Sequence, residues 1–183
     1  MNRKRLLITG SAFLLFMVIV IVYIQGQLPY YYQSRIFYLW KNEAMQDMAD
    51  KFVSDSNIEE YSAGCTEQGC QARVRFKGMA ADDKYEGDEA DEYINLARES
   101  RLSIAWKFKG YVVFSLGSLS KFDKQFNIAY LYYPDGIQKY KDCKRKDYKT
   151  SISGQCDVRL SDNWSLNYHW INLDKYNESL GVQ

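Results

Sequence analysis

The chain has 183 residues, with 24 Lys plus Arg against 23 Asp plus Glu and a formal net charge of +1. Proteins that bind nucleic acids usually carry a clear basic excess or a basic stripe, so this balance argues against a nucleic-acid partner. The chain contains one His and four Cys, which leaves little material for a His-based zinc site or catalytic centre. We therefore expect no metal, no cofactor and no enzymatic activity.

The N-terminal part predicts a membrane anchor. Residues 6–24 form an uncharged apolar run that follows the basic triplet Arg3-Lys4-Arg5. As an α-helix the run would be roughly 28 Å long, which matches a hydrocarbon core of about 30 Å. It is longer than the apolar region of a typical secretory signal peptide and lacks a clear small-residue cleavage site. We expect an uncleaved signal-anchor, with a cleaved signal peptide as the alternative.

The basic triplet also predicts the orientation of the chain. Positive residues stay on the cytoplasmic side of a membrane, so residues 1–5 would form a cytoplasmic stub and residues 25–32 a juxtamembrane linker outside the cytoplasm. A single exported domain would then cover residues 33–171, and residues 172–183 would be a flexible tail. In a Gram-negative host this is a single-pass inner-membrane protein with a periplasmic domain.

The four cysteines form two close pairs, Cys65/Cys70 and Cys143/Cys156. Of the three possible connectivities we favour the sequential one, because residues 65–70 read as the tip of a hairpin, where opposite Cα atoms approach to about 4.5 Å. A zinc site built from all four would need two short Cys spacings, and the second pair encloses twelve residues. The sequence therefore predicts two structural disulfides, which agrees with export.

Apolar spacing predicts two helices, over residues 33–53 and 87–100. The first repeats apolar residues at three- and four-residue steps and would bury them as one stripe. Its stripe consists of Phe37, Trp40, Ala44, Met48 and Phe52. Ser34 is a suitable N-cap for this helix.

Alternating apolar residues predict strands in the rest of the domain. A hairpin joins residues 58–64 to a strand with Ala72, Val74 and Phe76 through the Cys65–Cys70 tip. Further strands follow from residue 102 onward, with apolar faces at Leu102, Ile104, Trp106 and Phe108; Phe126, Ile128, Tyr130 and Tyr132; Cys156, Val158 and Leu160; and Trp164, Leu166, Tyr168 and Trp170. No βαβ alternation occurs. We predict an α+β domain with one antiparallel sheet of about six to seven strands and two helices on one face.

An acidic stretch follows the hairpin. Residues 82–92 hold seven Asp or Glu against Lys84, without the spacing of an EF-hand calcium loop. Such a stretch can be a solvated loop that leads into a helix, a calcium site or an acidic surface for a basic partner. The candidate partner-binding residues are Asp88, Glu89, Asp91 and Glu92.

A basic stretch surrounds the third cysteine. Residues 138–149 hold six basic and two acidic residues, with Tyr140 and Tyr148 among them. A solvated loop closed by the disulfide is the simplest interpretation, and an anionic surface or partner is the alternative. The candidate residues of this basic loop are Lys141, Lys144, Arg145 and Lys146. The single His, His169, falls on the outward side of the last strand, where a catalytic base has no evident partner.

These features favour a membrane-anchored, non-enzymatic domain that binds another protein outside the cytoplasm, because Tyr and Trp contribute much of the binding energy at interfaces. In a bacterium, an immunity protein that neutralises an exported toxin is one concrete form. A structural subunit of a pilus or secretion machine is an alternative, although Leu15 stands where a pilin cut after Gly10 would require an acid. An exported hydrolase that uses distant carboxylates is a further alternative.

Overall fold

The computed structural model of the protein describes residues 16–18, 20, 28–66, 69–80, 88–121, 123–139, 141–143 and 147–179. The chain divides into two compact units, Met1–Tyr31 and Tyr32–Gln183. Among the described residues, no helix is both long and apolar enough to cross a membrane. Most of the predicted span 6–24 lies outside the described residues, so the anchor stays a prediction.

From residue 28 onward the described residues form four helices. They are α1 (Tyr31–Ser54), α2 (Asp88–Ser100), α3 (Asp147–Thr150) and α4 (Leu173–Ser179). The first two correspond to the predicted helices. The prediction of a flexible tail over 172–183 is wrong for α4, which begins where the Asn172 side chain accepts a hydrogen bond from the backbone N–H of Lys175, at 2.9 Å. This bond caps the first turn, as Asn does at many helix N-termini.

Seven strands form one sheet in the order β2-β1-β3-β4-β5-β7-β6, and all neighbouring strands are antiparallel. The strands are β1 (Ile58–Thr66), β2 (Gly69–Phe76), β3 (Ile104–Phe108), β4 (Tyr111–Lys121), β5 (Lys124–Tyr132), β6 (Ser153–Arg159) and β7 (Trp164–Ile171). The predicted α+β class and the single antiparallel sheet are confirmed.

The main core lies between one face of the sheet and the helices α1 and α2. Phe52 of α1 packs edge-on against Tyr61 of β1, with ring centroids 5.0 Å apart, and also contacts Phe114 of β4. Tyr93 of α2 stacks on Tyr61 at 4.9 Å. The Tyr132 hydroxyl of β5 bonds to Asp50 of α1 at 2.8 Å, so both packing and hydrogen bonds hold α1 on this face.

The predicted inner stripe of α1 is correct at its C-terminal end and wrong at its N-terminal end. Met48 and Phe52 are fully buried, whereas Trp40 is 84% exposed. The buried face instead begins with Ser34 and Tyr38. Ser34 is therefore not an N-cap: it lies inside α1, and its backbone carbonyl accepts a hydrogen bond from the Tyr130 hydroxyl at 2.8 Å.

The strand alternation is confirmed for β5 and β7, whose predicted apolar residues are all buried. It is reversed for β3. There Ala105 is the buried residue that packs towards the helices, opposite Phe114 of β4. Trp106 and Phe108 point to the other face of the sheet, because successive residues of a strand alternate between faces.

Candidate functional site

The sheet face turned away from α1 and α2 carries a groove of about 770 Å³. None of the described residues that line the groove belongs to a helix. The groove is lined by side chains of five strands and of the segment that follows β5. Its lining residues are Trp106, Phe108, Tyr111, Val113, Leu131, Tyr133, Lys139, Lys141, Gln155, Asp157 and Asn167.

Three aromatic rings form a ladder along one side of the groove. Phe108 stacks on Tyr111 with centroids 5.3 Å apart and planes 13° from parallel. Tyr111 in turn stacks on Tyr133 at 5.7 Å and 30°. The β3–β4 register makes this possible, since Phe108 and Tyr111 are directly opposite across a hairpin with Gly110 in the left-handed region, at φ +88°. The ladder is a preformed aromatic surface, and half of the Phe108 side chain is accessible to solvent, at 50%.

The opposite side of the groove is polar. Asp157 of β6 is buried and accepts hydrogen bonds from the Asn167 amide at 2.7 Å and from the backbone N–H of Lys141 at 3.3 Å. Burial and the nearby charge of Asp157 raise the pKa of Tyr133. Tyr133 therefore remains a neutral phenol at physiological pH.

A wall segment, comprising residues 134–139 and 141–143, closes this polar side. At its start, Gly136 donates to the Tyr133 carbonyl at 3.0 Å, as expected for the turn Pro134-Asp135-Gly136. At its end, Cys143 donates to the Asp157 carbonyl at 3.0 Å, and Asp157 donates to the Lys141 carbonyl at 2.7 Å. Residues 141–143 thus extend the sheet beyond β6 in a short parallel pairing.

The disulfide Cys143–Cys156 joins the wall segment covalently to β6, with the Cα atoms 4.8 Å apart. This confirms the second of the two predicted bridges. The backbone places Cys65 directly opposite Cys70 in the β1–β2 hairpin, as predicted. The side chains of that pair lie outside the described ones, so the first bridge stays a prediction.

The wall segment also supplies positive charge to the rim of the groove. Lys139 and Lys141 are both exposed, while the single carboxylate among the described lining residues, Asp157, is occupied by its hydrogen bonds. Of the predicted basic-loop residues, Lys141 lies at the groove. Lys144, Arg145 and Lys146 lie outside the described residues.

The predicted acidic surface falls on α2 and its approach. Asp91 is exposed, whereas Glu92 forms an ion pair with Lys51 of α1 at 2.7 Å. That hydrogen bond is the main reason that the pKa of Lys51 is raised. Glu92 therefore ties α2 to α1. The side chains of Asp88 and Glu89 lie outside the described ones, and partner binding by this surface stays a prediction.

Among the described residues, His169 lies outside the lining of the groove. His169 is exposed on the same face of the sheet, opposite Asn127 of β5 and Gln155 of β6. No cluster of three or more metal-binding side chains occurs among the described residues. The groove itself was missed at the sequence level, because Trp106 and Phe108 were assigned to the core. The signal that marks them is the small Ala105, which directly precedes Trp106 and suits a strand packed closely under helices.

Comparison of the chain with protein-family models, with curated proteins and with solved structures found no match.

Proposed function

We propose that this protein is a membrane-anchored, non-enzymatic domain that binds another protein outside the cytoplasm, and that the groove is its binding site. The observation that carries the proposal is the aromatic ladder Phe108–Tyr111–Tyr133 with two exposed lysines across from it. Aromatic residues that are accessible and held rigid are the side chains most often responsible for binding energy at protein interfaces.

The size of the groove suits an extended segment of a partner. The two centroid distances of the ladder together cover roughly 11 Å, the length of about three residues of extended chain. Apolar or aromatic side chains of such a segment would pack on the ladder and on the floor formed by Val113 and Leu131. The amides of Gln155 and Asn167 offer hydrogen bonds to its backbone.

The charge of the groove favours an acidic partner segment. Lys139 and Lys141 are exposed at the rim, and Asp157 is buried with both carboxylate oxygens hydrogen-bonded. A carboxylate in the bound segment would therefore meet the positive charges of Lys139 and Lys141. Complementary charge of this kind raises the association rate and selects partners.

Binding is better supported than catalysis. Hydrolysis by two carboxylates requires both in one cleft, and Asp157 is the single carboxylate among the described residues that line the groove. For a bacterial host we propose an immunity protein that neutralises an exported toxin, held at the inner membrane by residues 6–24. The partner would present the acidic, apolar segment, and the α2 surface around Asp91 would be a separate contact.

The test is photo-crosslinking in the native membrane with the full chain. Phe108 is replaced by the photoreactive residue p-benzoylphenylalanine, and the adduct is digested and sequenced by mass spectrometry. We expect one partner protein, attached through a segment that contains Asp or Glu beside apolar residues.

The matched control carries the same photoreactive residue at Lys77, which is exposed directly after β2, the edge strand at the other end of the sheet from β6. Equal adduct yields at positions 108 and 77, or a crosslinked segment rich in Lys and Arg, would contradict binding through the groove.

A further inference from the structure

Three large apolar side chains project from the outer face of α1. Ile36 is 62% exposed, Leu39 73% and Trp40 84%. In an α-helix, residues three and four positions apart are neighbours on the surface. The three side chains therefore form one contiguous patch, which we call the outer apolar patch.

The patch lies opposite the face that α1 buries. With 100° of rotation per residue, Ser34, Tyr38, Met45 and Phe52 share the inner face, and all four are buried. The domain's own core is therefore complete without Ile36, Leu39 and Trp40. A contiguous exposed apolar patch of this kind marks a surface that contacts a membrane or another molecule.

Further along the helix, the same outer face becomes acidic. Glu43 and Asp47 are exposed one and two turns after the patch. The outer face is thus apolar close to the N-terminus of α1 and negatively charged towards its C-terminus. A helix that enters a lipid interface at one end and leaves it at the other has this polarity.

The chain between the predicted anchor and α1 is short. Residues 25–30 are the only ones between the end of the apolar run and Tyr31. At about 3.4 Å per extended residue and about 1.5 Å per helical residue, Ile36 can be no more than roughly 30 Å from the end of the run. The patch is therefore within reach of the membrane surface.

We propose that the outer apolar patch inserts into the outer interfacial layer of the membrane that holds the anchor, with Trp40 at the boundary between headgroups and acyl chains. Trp is the residue most typical of that boundary. This inference rests on the anchored topology of the proposed function. It gives α1 a second role, which is to fix the orientation of the binding groove with respect to the membrane.

A second copy of the chain is a poorer occupant of the patch. In a parallel contact between the α1 helices of two copies, Glu43 and Asp47 of one copy would face the same acids of the other, and like charges at facing positions destabilise the contact. At the membrane, by contrast, these acids extend from the interface into water.

The test uses the full chain reconstituted in phosphatidylcholine vesicles whose acyl chains are brominated near the headgroup. Bromine quenches Trp fluorescence on contact, and the chain has four Trp, of which Trp164 and Trp170 are buried. We expect bromolipid to quench a part of the emission that is missing in Trp40→Phe and retained in Trp106→Phe, the matched control in the groove. The double variant Ile36→Ser/Leu39→Ser should shift the docked-to-undocked ratio about tenfold towards the undocked state.

The proposal would be overturned if aqueous iodide quenched the Trp40 emission and bromolipid did not. Emission protected from both quenchers would also overturn it and would indicate a second copy or a protein partner on the patch. Alkaline carbonate extraction of the same vesicles tests the anchor separately. Protein that resists extraction but has unquenched Trp40 refutes only the docked patch, whereas release by carbonate refutes the anchored topology of the proposed function.

Discussion

At the scale of single residues, the many tyrosines of this chain combine a buried ring with a hydroxyl that reaches a fixed acceptor. The Tyr61 hydroxyl donates to the Leu102 carbonyl at 2.6 Å, and the Tyr130 hydroxyl donates to the Ser34 carbonyl at 2.8 Å. Tyr93 bonds to the carboxylate of Asp55. Buried polar groups are tolerated when they are paired in this way, so Tyr can fill the core and also connect the helices to the sheet.

These tyrosines predict a loss of stability at alkaline pH. Burial raises the pKa of Tyr130 to about 12, and burial also raises the pKa of Tyr61 and of Tyr93. In the unfolded chain all three ionise near pH 10. Above that pH the folded state therefore binds more protons than the unfolded state. The free energy of unfolding should then fall by on the order of 1.4 kcal/mol per pH unit for each tyrosine.

Urea unfolding from about pH 8 to about pH 11 measures this fall. Tyr130→Phe should be about 1 kcal/mol less stable at neutral pH, because the Ser34 carbonyl loses its donor, and should show a shallower alkaline slope. A urea midpoint that stays constant up to pH 11 would refute the raised pKa values of these tyrosines.

Substitutions at Asp91 and Glu92 should differ in their effect on stability, although the two residues are neighbours in sequence. Glu92→Lys removes the ion pair with Lys51 and places two positive charges together, which should cost about 1 kcal/mol in the free energy of unfolding, as for partly exposed pairs. Asp91→Lys should leave stability unchanged. If the α2 surface contacts a basic partner, Asp91→Lys alone should weaken binding in a salt-dependent manner, which the crosslink yield measures. Equal losses of stability in the Asp91→Lys and Glu92→Lys variants would contradict the ion pair between Glu92 and Lys51.

At the scale of elements, α1 is a helix with two different apolar faces. Its inner face packs on the sheet through Phe52 and Met48, while its outer face presents Ile36, Leu39 and Trp40. The helical period of the apolar residues cannot distinguish the inner from the outer face of α1, because both faces contain large apolar residues at helical spacing. Only the position of the sheet shows which face is buried by the domain itself.

Replacing an aromatic residue by Ala should destabilise the fold on the inner face of α1 and leave its stability almost unchanged on the outer face. Phe52→Ala leaves a cavity beside Tyr61, Tyr93 and Phe114 and should cost about 3–5 kcal/mol. Trp40→Ala removes a ring that contacts little of the domain and should change the free energy of unfolding by less than about 0.5 kcal/mol. Thermal unfolding in detergent, where lipid docking is absent, checks both values; comparable losses would mean that Trp40 packs inside the fold.

The disulfide should matter more for the groove than for the sheet. Cys143→Ser/Cys156→Ser opens a loop of sequence separation 13 and should cost about 3 kcal/mol. Because the wall segment carries Lys139 and Lys141, hydrogen exchange should increase first at residues 137–143, with β5 and β7 still protected. Uniform loss of protection across the sheet would show that the disulfide supports the entire fold.

At the scale of the whole domain, the two faces of the sheet have separate roles. The helix-covered face holds the main core, and the open face holds the groove with its exposed Lys139, Lys141 and Phe108. Substitutions on the open face should therefore alter recognition with little effect on folding.

Charge reversal at the rim tests that separation. Lys139→Glu/Lys141→Glu should keep the free energy of unfolding within about 0.5 kcal/mol of wild type, since both side chains are exposed. It should strongly reduce the adduct yield at position 108, because an acidic segment would meet like charge. The control Lys139→Gln/Lys141→Gln should give an adduct yield between that of the wild type and that of the Glu variant. Undiminished adduct formation by the Glu variant would refute an acidic partner segment.

Sequence reasoning recovered the parts of the fold that depend on local order. Alternation identified β5 and β7, the hairpin tip placed Cys65 opposite Cys70, and the close spacing of Cys143 and Cys156 predicted their bridge. The failures were Ser34, Trp40, α4 and the two aromatic residues of β3. In each case the local pattern was compatible with two environments.

The sequence by itself determined the α+β class, the antiparallel pairing and the second disulfide, because residue periodicity and short spacings impose these features locally. The tertiary structure decided which apolar faces are covered. Burial depends on which elements meet across the sheet, and an apolar side chain looks the same in sequence whether it enters the core, lines the groove as Trp106 does, or projects outward as Trp40 does.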